Sequence, residues 1–470
     1  MISSLQPYRA MKDSGIEWLG EIPEHWELER GKNLFTKAER PVRKTDQVVT
    51  CFRDGTVTLR RNRRTQGFTE SLKEFGYQGI RVGDLVIHAM DAFAGAVGVA
   101  DSDGKGTPVY AVCKPKPRAN AYYHSFVIRE MARRQWILAL ATGIRERSTD
   151  FRFGAYANQR VPLPPLPEQD AIVRFIDYVD RRIRRYIRAK QKLIKLLEEQ
   201  KQAIIHRTVT RGLNPDAPLK DSGVEWLGQV PEHWEVVPLK FLVPQVTVGI
   251  VIQPAQLYVP IGVPCLRSLN ISSGKARGNQ LVYITPESNA AHRKSQIFAG
   301  DIVIVRTGQA GVAAIVPPEF DGANCIDLLI VRSSERLISE YLLTYLNSWS
   351  AKSEVEYYSV GAIQAHYNTT TLANLRVPTP PIAEQRTTLI ALAANLEPLD
   401  ATITRAKREI DLLNEYRTRL IADVVTGKLD VREAAASLPD GAVDPEEADE
   451  LPPEIDETER DEPVEAADDE

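Results

Sequence analysis

Residues 12–26 read KDSGIEWLGEIPEHW, and residues 220–234 read KDSGVEWLGQVPEHW. Twelve of the fifteen positions are identical, and the other three are conservative exchanges. The two stretches lie 208 residues apart, which is the length of a domain with a connector and too long for a solenoid repeat. The spacing therefore predicts two tandem copies of one module.

Further motifs extend the repeat in the same order. GDLVI at 83–87 matches GDIVI at 300–304, RVPLPPLPEQ at 160–169 matches RVPTPPIAEQ at 376–385, and VTRG at 209–212 resembles VTGK at 425–428. Short β-rich runs alternate with Gly- and Asn-rich turns before each proline motif, and helices are predicted near 124–141 and 339–356. Each copy is thus predicted to be a mixed α+β domain, then a proline hinge, then a helix.

Heptad stripes follow both proline motifs. In the first copy the stripe is Ile172, Ile176, Val179, Ile183, Tyr186, Lys190, Leu193, Leu197, Gln200 and Ile204. In the second copy it includes Leu392, Leu399, Ile403, Ala406, Ile410, Leu413 and Leu420. Sustained heptads predict a coiled coil, and two such helices in one chain can pair with each other, antiparallel if a pseudo-twofold relates the copies. Two separate surface helices, each packed on its own domain, are the alternative.

The charge of the chain is unevenly distributed. Its 470 residues carry a net charge of −4, but residues 440–470 contain sixteen acidic residues and one arginine, so the remainder carries +11. A basic body is typical of nucleic-acid binders, although solvated surface lysines and arginines would also produce it. The segment from about residue 438 is rich in Pro, Ala and acidic residues and is predicted to be disordered.

Four cysteines, Cys51, Cys113, Cys265 and Cys325, form no CxxC pair, which predicts neither disulfides nor a zinc site. Cys51 and Cys265 occupy matching contexts, CFR and CLR, and are expected to be small core residues. No apolar run of about 18 residues and no secretory h-region are found, so a cytoplasmic location is expected.

The paired order of these motifs resembles the type I restriction–modification specificity subunits (HsdS), over roughly residues 12 to 430. The resemblance implies a first target-recognition domain at 1–165, a spacer helix at 166–212, a second recognition domain at 213–380, a second spacer helix at 381–430, and an acidic tail at 431–470. It implies a non-catalytic subunit that binds double-stranded DNA, two methyltransferase subunits and restriction/translocase subunits. Any S-adenosylmethionine, ATP and Mg are implied on those partners only, with no cofactor or metal of its own.

Comparison of the two copies separates structural from readout residues. Residues shared by both copies, such as Trp26 and Trp234 or His25 and His233, are expected to pack or cap. Divergent polar residues are expected to contact DNA, because Arg and Lys recognise guanine or phosphate and Asn and Gln recognise adenine. The candidates are Arg53, Arg60, Arg61, Arg63, Arg64, Arg145, Arg147, Arg152, Arg267, Asn270, Lys275, Arg277, Arg306, Gln309, Gln364, His366 and Asn368. Of these, Arg53 and Arg267 align between the copies and are expected either to bind phosphate or to brace their loops.

The arginine-rich stretch Leu59–Arg64 has two geometric readings. A strand would divide its arginines between two faces, whereas a loop would let them converge. Two other functions are weaker: a two-headed protein scaffold, which the basic body argues against, and a nuclease, whose motifs are missing.

Overall fold

The computed structural model describes residues 5–63, 75–140, 150–272, 274–353 and 367–439. The chain forms two compact units, one made of Met1–Ile187 with Asp411–Glu470 and the other of Arg188–Ile410. Each unit therefore contains one repeated opening and a segment of both long helices. Arg64, Arg145, Arg147, Gln364, His366 and the tail from residue 440 lie outside the described residues.

The first unit is built on a four-stranded antiparallel sheet with the GDLVI motif at its centre. Its strands, in spatial order, are Phe35–Lys37, Tyr110–Pro115, Leu85–His88 and Val97–Val99. Gly83 turns with φ +86°, which favours glycine, and Leu85, Val86 and Ile87 are fully buried. The Asp84 carboxylate of the motif is also buried, and it binds the Arg40 guanidinium.

Smaller two-stranded pairs surround this sheet. They are Met11–Asp13 with Glu21–Pro23, Glu27–Arg30 with Arg160–Leu163, Val49–Cys51 with Val57–Leu59, and Gln78–Ile80 with Gly104–Gly106. The pairing of Glu27–Arg30 with Arg160–Leu163 brings the end of the repeated opening beside the proline hinge. The short helices are Gly31–Leu34, Ala121–Arg133, Trp136–Ala139 and Phe153–Asn158.

The helix predicted near 124–141 is shorter than expected. It begins at Ala121, capped by the Asn120 side chain, and ends at Arg133. Gln135 then has φ 60°, in the left-handed region, and a new helical turn starts at Trp136. The helix predicted near 339–356 begins at Ser339 and ends at Leu346. Local backbone conformation, rather than loss of apolar residues, therefore ends the first of these helices.

The second unit repeats the frame with a larger sheet. The six strands, in spatial order, are Val246–Val248, Leu328–Val331, Ile302–Val305, Ala313–Ile315, Gly274–Ala276 and Ile271–Ser272. A second sheet contains Tyr258–Val259, Val282–Ile284, Val263–Leu266 and Asn324–Cys325. The opening pair Leu219–Asp221 with Gln229–Pro231 and the hinge pair Glu235–Pro238 with Arg376–Thr379 match those of the first unit. Short helices are Pro286–Ala291, Ser339–Leu346 and Thr369–Asn374.

Two long helices follow the proline motifs, Leu166–Arg211 and Ile382–Val425. Prolines suit the first turn of a helix because its N–H groups lack intrahelical partners, which explains why both helices begin beside the PP pairs. Within the second unit, ion pairs join Lys190 to Glu409 (2.6 Å), Lys201 to Asp400, and Glu198 to Lys407 (3.9 Å). Residue numbers rise along one helix as they fall along the other, so these segments run antiparallel.

Burial along the first long helix departs from the predicted stripe. Ile176 and Ile183 are buried, but Tyr186 is 55% exposed while Ile187 is buried. Leu193 is 38% exposed, whereas its neighbour Ile194 is partly buried. From Ile187 onward the buried face lies one residue further along the chain than the predicted stripe. The Leu193 position of the predicted seam is therefore corrected to Ile194. Leu197 is partly buried, as are Leu399, Ile410 and Leu413 of the second helix, where Leu392 is buried.

The segment predicted as tail begins later than residue 431. A short helix spans Arg432–Ala436, and Val431 and Ala435 are buried. The Asp430 backbone N–H donates to the Gln6 carbonyl at 2.8 Å, so this stretch is part of the first unit. All four cysteines are buried, and Cys51 and Cys265 lie in the cores of their units as predicted. None of the described helices is long and apolar enough to cross a membrane.

Candidate nucleic-acid interface

The residues shared by both repeats hold the long helices to the domains. In the first unit Glu168, near the start of the long helix, accepts hydrogen bonds from Tyr8 Oη (2.6 Å) and Trp26 Nε1 (2.9 Å). His25 Nε2 lies 2.9 Å from its other oxygen. Burial and the hydrogen bond to Glu168 raise the pKa of Tyr8 far above its usual value, so this hydroxyl stays a donor.

The second unit contains the same contact with one donor fewer. Glu384 accepts from Trp234 Nε1 at 3.0 Å and lies 2.9 Å from His233 Nε2. The Glu384 side chain is 28% exposed, against 5% for Glu168. Trp26 and Trp234 are fully buried, which agrees with the predicted packing role of the repeated tryptophans.

The glutamine of each PxxEQ or PxAEQ hinge fixes a second element. Gln169 Oε1 accepts from the Asn120 backbone N–H at 2.9 Å, and Gln385 Oε1 accepts from the Ile338 N–H at 2.9 Å. Asn120 and Ile338 are the residues that precede the helices Ala121–Arg133 and Ser339–Leu346. The EQ pair therefore links opening, long helix and domain helix, and its repetition is explained without a ligand.

In each unit the loop after the GDxVI strand contributes one member of an arginine–carboxylate pair: Asp91 in the first unit and Arg306 in the second. Arg53 pairs with Asp91 (3.2 Å), and Asp91 also lies 3.4 Å from His88 Nε2. Burial lowers the pKa of His88, with partial compensation by Asp91. In the second unit Arg306 pairs with Asp327 at 3.0 Å. Both arginines are thus held by carboxylates at the base of a loop, while Gln309 in the second loop is exposed.

Arg60, Arg61 and Asn62 form a single 3₁₀ turn, which is neither of the two predicted geometries. Arg61 is exposed, and Arg60 is partly buried with Nε 3.4 Å from Thr50 Oγ1. Arg63 points inward: it lies 2.7 Å from Asp54 and stacks over Phe52 at 4.5 Å. Burial acts to raise the pKa of Asp54, but the Thr56 N–H and the Arg63 charge outweigh it, and the pKa is lowered. Arg63 is therefore corrected from a DNA contact to a brace.

Arg152 lies on a cleft of about 720 Å³ in the first unit. Lys37, Arg40 and Tyr110 also line it. Each cation has a carboxylate partner, Arg152 with Asp150 (2.5 Å) and Lys37 with Glu39 (2.8 Å). Sequence comparison missed Lys37 and Arg40 because they are single cations in unremarkable surroundings, and only the sheet brings them to Arg152.

In the second unit two candidate asparagines bond to the backbone. Asn270 is buried: its Oδ1 accepts from the Arg267 N–H (2.8 Å) and its Nδ2 donates to the Asn279 carbonyl (2.6 Å). Asn368 caps the helix Thr369–Asn374, accepting from the Thr371 N–H at 2.9 Å. Asn270 is buried with both ends of its amide bonded to the backbone, so the prediction that it reads a base is corrected. Asn368 uses only its Oδ1 as a cap and is exposed, so it stays a candidate.

Exposed cations flank the Asn270 turn. Lys275 and Arg277 are exposed, and Arg267 donates to the Gln280 carbonyl at 2.7 Å. The described candidates that face solvent are thus Arg61, Arg152, Lys275, Arg277, Gln309 and Asn368. Such groups can contact phosphates or base edges. Within the described ranges no cluster of His, Cys, Asp and Glu suits a metal ion.

The fold and sequence match known proteins. A profile described as "Type I restriction modification DNA specificity domain" matches residues 231–415. The type I restriction enzyme MjaVIII specificity subunit of Methanocaldococcus jannaschii is 25% identical over 292 residues, covering 59% of this chain and 64% of that protein. A putative MjaX specificity subunit of the same organism is 24% identical over 92% of this chain and 100% of its own length.

A more distant relative and a solved structure agree. The EcoKI specificity subunit of Escherichia coli is 24% identical over 212 residues. A chain from a structure described as "Structural basis underlying complex assembly and conformational transition of the type I R-M system" superposes with a TM-score of 0.63. It is 17% identical and the match covers 87% of this chain and 99% of that one, which establishes likeness of fold.

Proposed function

We infer that this chain is a type I restriction–modification specificity subunit and that it recognises the DNA sequence for such a complex. The observation that carries this inference is the match of the specificity-domain profile, and of the putative MjaX specificity subunit over its full length, to a chain with two compact units. A protein scaffold that binds no DNA is not favoured by these relatives.

Each unit is proposed to read one half of a bipartite target. The support is the division of labour between residues. The shared Glu168 and Glu384 contacts hold the frame, while the exposed cations Arg61 and Arg277 belong to segments that differ between the copies. Two similar frames with different exposed residues suit two different half-sites.

The long helices are proposed to form an antiparallel coiled coil that sets the unread spacer and docks two methyltransferase subunits. The ion pairs between Lys190 and Glu409 and between Asp180 and Arg417 support the pairing. Restriction/translocase subunits complete the proposed complex. The chain is proposed to be non-catalytic, with S-adenosylmethionine, ATP and Mg bound by partners.

Methylome sequencing of a host that expresses this chain with its methyltransferase tests the function most directly. We expect modified bases within a split motif, and none when this chain is omitted. Exchange of residues 27–160 for those of a relative should change one half of the motif and leave the other unchanged. A change in both halves would contradict independent reading.

A gel-shift experiment separates DNA recognition from the scaffold alternative. The chain with its methyltransferase should retain duplex DNA that contains the motif in preference to a duplex with one half scrambled. Equal retention of both duplexes, with an intact protein complex, would support the scaffold. Methyl transfer by the purified chain alone would contradict the non-catalytic assignment.

A further inference from the structure

Arg129 of the first unit carries a positive charge that no described group binds. It lies in the helix Ala121–Arg133, is partly buried, and makes neither a hydrogen bond nor an ion pair with a described residue. Burial lowers the pKa of Arg129, although the charges of Asp54 and Asp180 oppose this effect. A guanidinium stays protonated at neutral pH all the same. A charge that is removed from water without a partner is unfavourable, so this position favours an anionic ligand.

The two carboxylates that attract Arg129 are already bound by other arginines. Asp54 lies 2.7 Å from Arg63. Asp180 binds Arg417, whose charge acts together with burial to lower the pKa of Arg129. The charges of these four side chains therefore balance one another, and the charge of Arg129 is left in excess. An anion that neutralises it has to come from outside this group.

Two glycine turns border the Arg129 guanidinium. Gly55 has φ +91° and Gly95 has φ +93°, in the region that favours glycine. A Cβ at Gly55 would lie 2.7 Å from Arg129 Nη1, and a Cβ at Gly95 would lie 3.9 Å from its Nε. The guanidinium is therefore positioned by contact with backbone rather than by hydrogen bonds. Its N–H donors are held in place and stay available to a ligand.

The second repeat has a satisfied amide at the same position. Asn120 and Ile338 precede equivalent helices. Nine residues further along, the first repeat has Arg129 and the second has Asn347. Asn347 Nδ2 donates to the Ala313 carbonyl at 3.2 Å, and its Oδ1 accepts from the Ala313 N–H at 3.3 Å. The shared frame therefore does not depend on an arginine here, and the unpaired charge is a feature of the first repeat.

We propose that Arg129, bordered by the Gly55 and Gly95 turns, is the centre of a phosphate-binding site in the first unit. The planar fork of a guanidinium matches two oxygens of a phosphate group. In one respect the inference rests on the proposed function: the phosphate belongs to the backbone of the bound DNA, which the charge of +11 on the body attracts. Free inorganic phosphate has the same chemistry and is the other source of the ligand.

Equilibrium dialysis of the full chain against labelled inorganic phosphate tests the site without DNA. At a constant ionic strength of about 0.15 M, the parent should bind one phosphate per chain more than Arg129→Asn, which introduces the residue of the second repeat. Arg129→Lys keeps the charge and loses the planar fork, so it should bind phosphate about tenfold more weakly. Sulfate should displace the phosphate, whereas chloride should not.

A matched control separates this site from general attraction of anions. Arg9→Asn removes the same charge from an exposed position of the same unit and should leave phosphate binding unchanged. Urea unfolding of each variant shows whether it is folded, and Arg129→Lys decides the test if Arg129→Asn does not fold. Equal phosphate binding by the parent and the Arg129 variants, or an equal loss in Arg9→Asn, would overturn the proposal.

A DNA experiment identifies the source of the phosphate. If it is the DNA backbone, Arg129→Asn should reduce the slope of log affinity for a duplex against log salt by about one. An unchanged slope, with the loss of one phosphate in dialysis, would assign the site to free inorganic phosphate. Failure of the methylome experiment would reject the proposed function and leave the dialysis result unaffected.

Discussion

At the scale of residues, the two hinge glutamates occupy equivalent positions but are expected to contribute differently to the stability of their units. Glu168 is 5% exposed and has Tyr8, Trp26 and His25 around it, whereas Glu384 is 28% exposed and, among the described residues, is bound by Trp234 and His233. Position 216, where the repeat aligns with Tyr8, is Asp216. A buried carboxylate with more donors leaves more unsatisfied groups when it is removed.

We therefore expect Glu168→Ala to destabilise the chain more than Glu384→Ala. The first change leaves the indole N–H of Trp26 and the hydroxyl of Tyr8 buried without an acceptor, at a cost of about 3 kcal/mol, and the second costs about 1 kcal/mol. Urea unfolding followed by tryptophan fluorescence measures both. Equal shifts in midpoint would show that the Tyr8 contact contributes nothing.

Arg61 and Arg63 lie two positions apart, yet we expect their substitution to affect different properties: DNA binding for Arg61 and folding stability for Arg63. Arg61→Ala should leave the unfolding midpoint unchanged and reduce the slope of log affinity for DNA against log salt by about one, because one phosphate contact is lost. Arg63→Ala should lower the midpoint, because Asp54 and Phe52 lose their partner. An Arg61→Ala protein with unaltered affinity and slope would remove this turn from the interface.

The environment of His124 predicts that the stability of the chain depends on pH. It is fully buried, and neither ring nitrogen has a hydrogen-bond partner among the described residues. Burial lowers its pKa to about 3. The unfolded chain, with a histidine pKa of about 6.5, therefore takes up the proton first as pH falls. Stability should decline below about pH 6.5, by at most about 1.4 kcal/mol per pH unit.

The second repeat supplies the matched replacement. Asn120 and Ile338 precede equivalent helices, so His124 corresponds to the buried Leu342. His124→Leu should raise stability by about 1–2 kcal/mol, since two unsatisfied buried nitrogens are removed, and should weaken the acid dependence. Urea unfolding midpoints at pH 5 and pH 7, on either side of the unfolded-state histidine pKa of about 6.5, measure this acid dependence. An acid dependence equal to that of the parent would assign it to other groups.

At the scale of elements, the sequence predicted periodic structure better than it predicted irregular structure. The paired motifs marked both openings, the central GDxVI strands and the starts of the long helices near Leu166 and Ile382. The break at Gln135 and the 3₁₀ turn at Arg60 were missed, because each depends on backbone conformation that tertiary contacts select. Asn270 was misassigned because an amide that satisfies backbone groups looks the same in a sequence as one that reads a base.

The buried stripe predicted for the first long helix was partly wrong for a geometric reason. An ideal α-helix drifts by about 20° per heptad, so a stripe counted in strict sevens leaves the buried face after a few turns. The buried or partly buried positions Ile176, Ile183, Ile187 and Ile194 instead follow an average near 3.6 residues. Leu193 was predicted to lie in the seam because the strict seven-residue count ignores this drift.

The paired helices predict a change of target spacing. Seven residues inserted after Leu193 and seven after Ala406 enter both helices at one level, three residues from the Lys190–Glu409 ion pair. They add about 10 Å to each helix, or about three base pairs of DNA. We expect a longer unread spacer or loss of activity, with both half-sequences unchanged, in methylome sequencing. Methylation at the original spacing by the folded double insertion would contradict the spacer role.

At the scale of the whole molecule, the two units differ in how the end of a long helix is joined to the repeated opening. In the first unit Asp430 contacts Gln6, and Gly427, after the second long helix, lies against Pro23 and Trp26. In the second unit Gly212 lies against Trp234, but the chain continues through residues 213–219 into the opening. Residues 5 and 439 therefore both belong to the first unit, whereas in the second unit residues 213–219 join the long helix directly to the opening.

A circular permutant tests this equivalence. New ends between Pro215 and Asp216, with residues 439 and 5 joined by a Gly/Ser linker of about ten residues, should give a folded chain with the parent methylation motif. New ends inside the buried strand Leu85–His88 should prevent folding. Insoluble protein from both permutants would show that the 213–219 connection is required.

The closeness of Gln6 and Asp430 also bears on ancestry. Each unit is completed by a helix segment encoded in the other repeat, so a polypeptide with one repeat could complete itself only by association with an identical copy. Such a homodimer would recognise an inverted, palindromic site. Gene duplication and fusion would have released the two copies to mutate separately, and the asymmetry of the bipartite target proposed above would then follow from a single peptide connection between the copies.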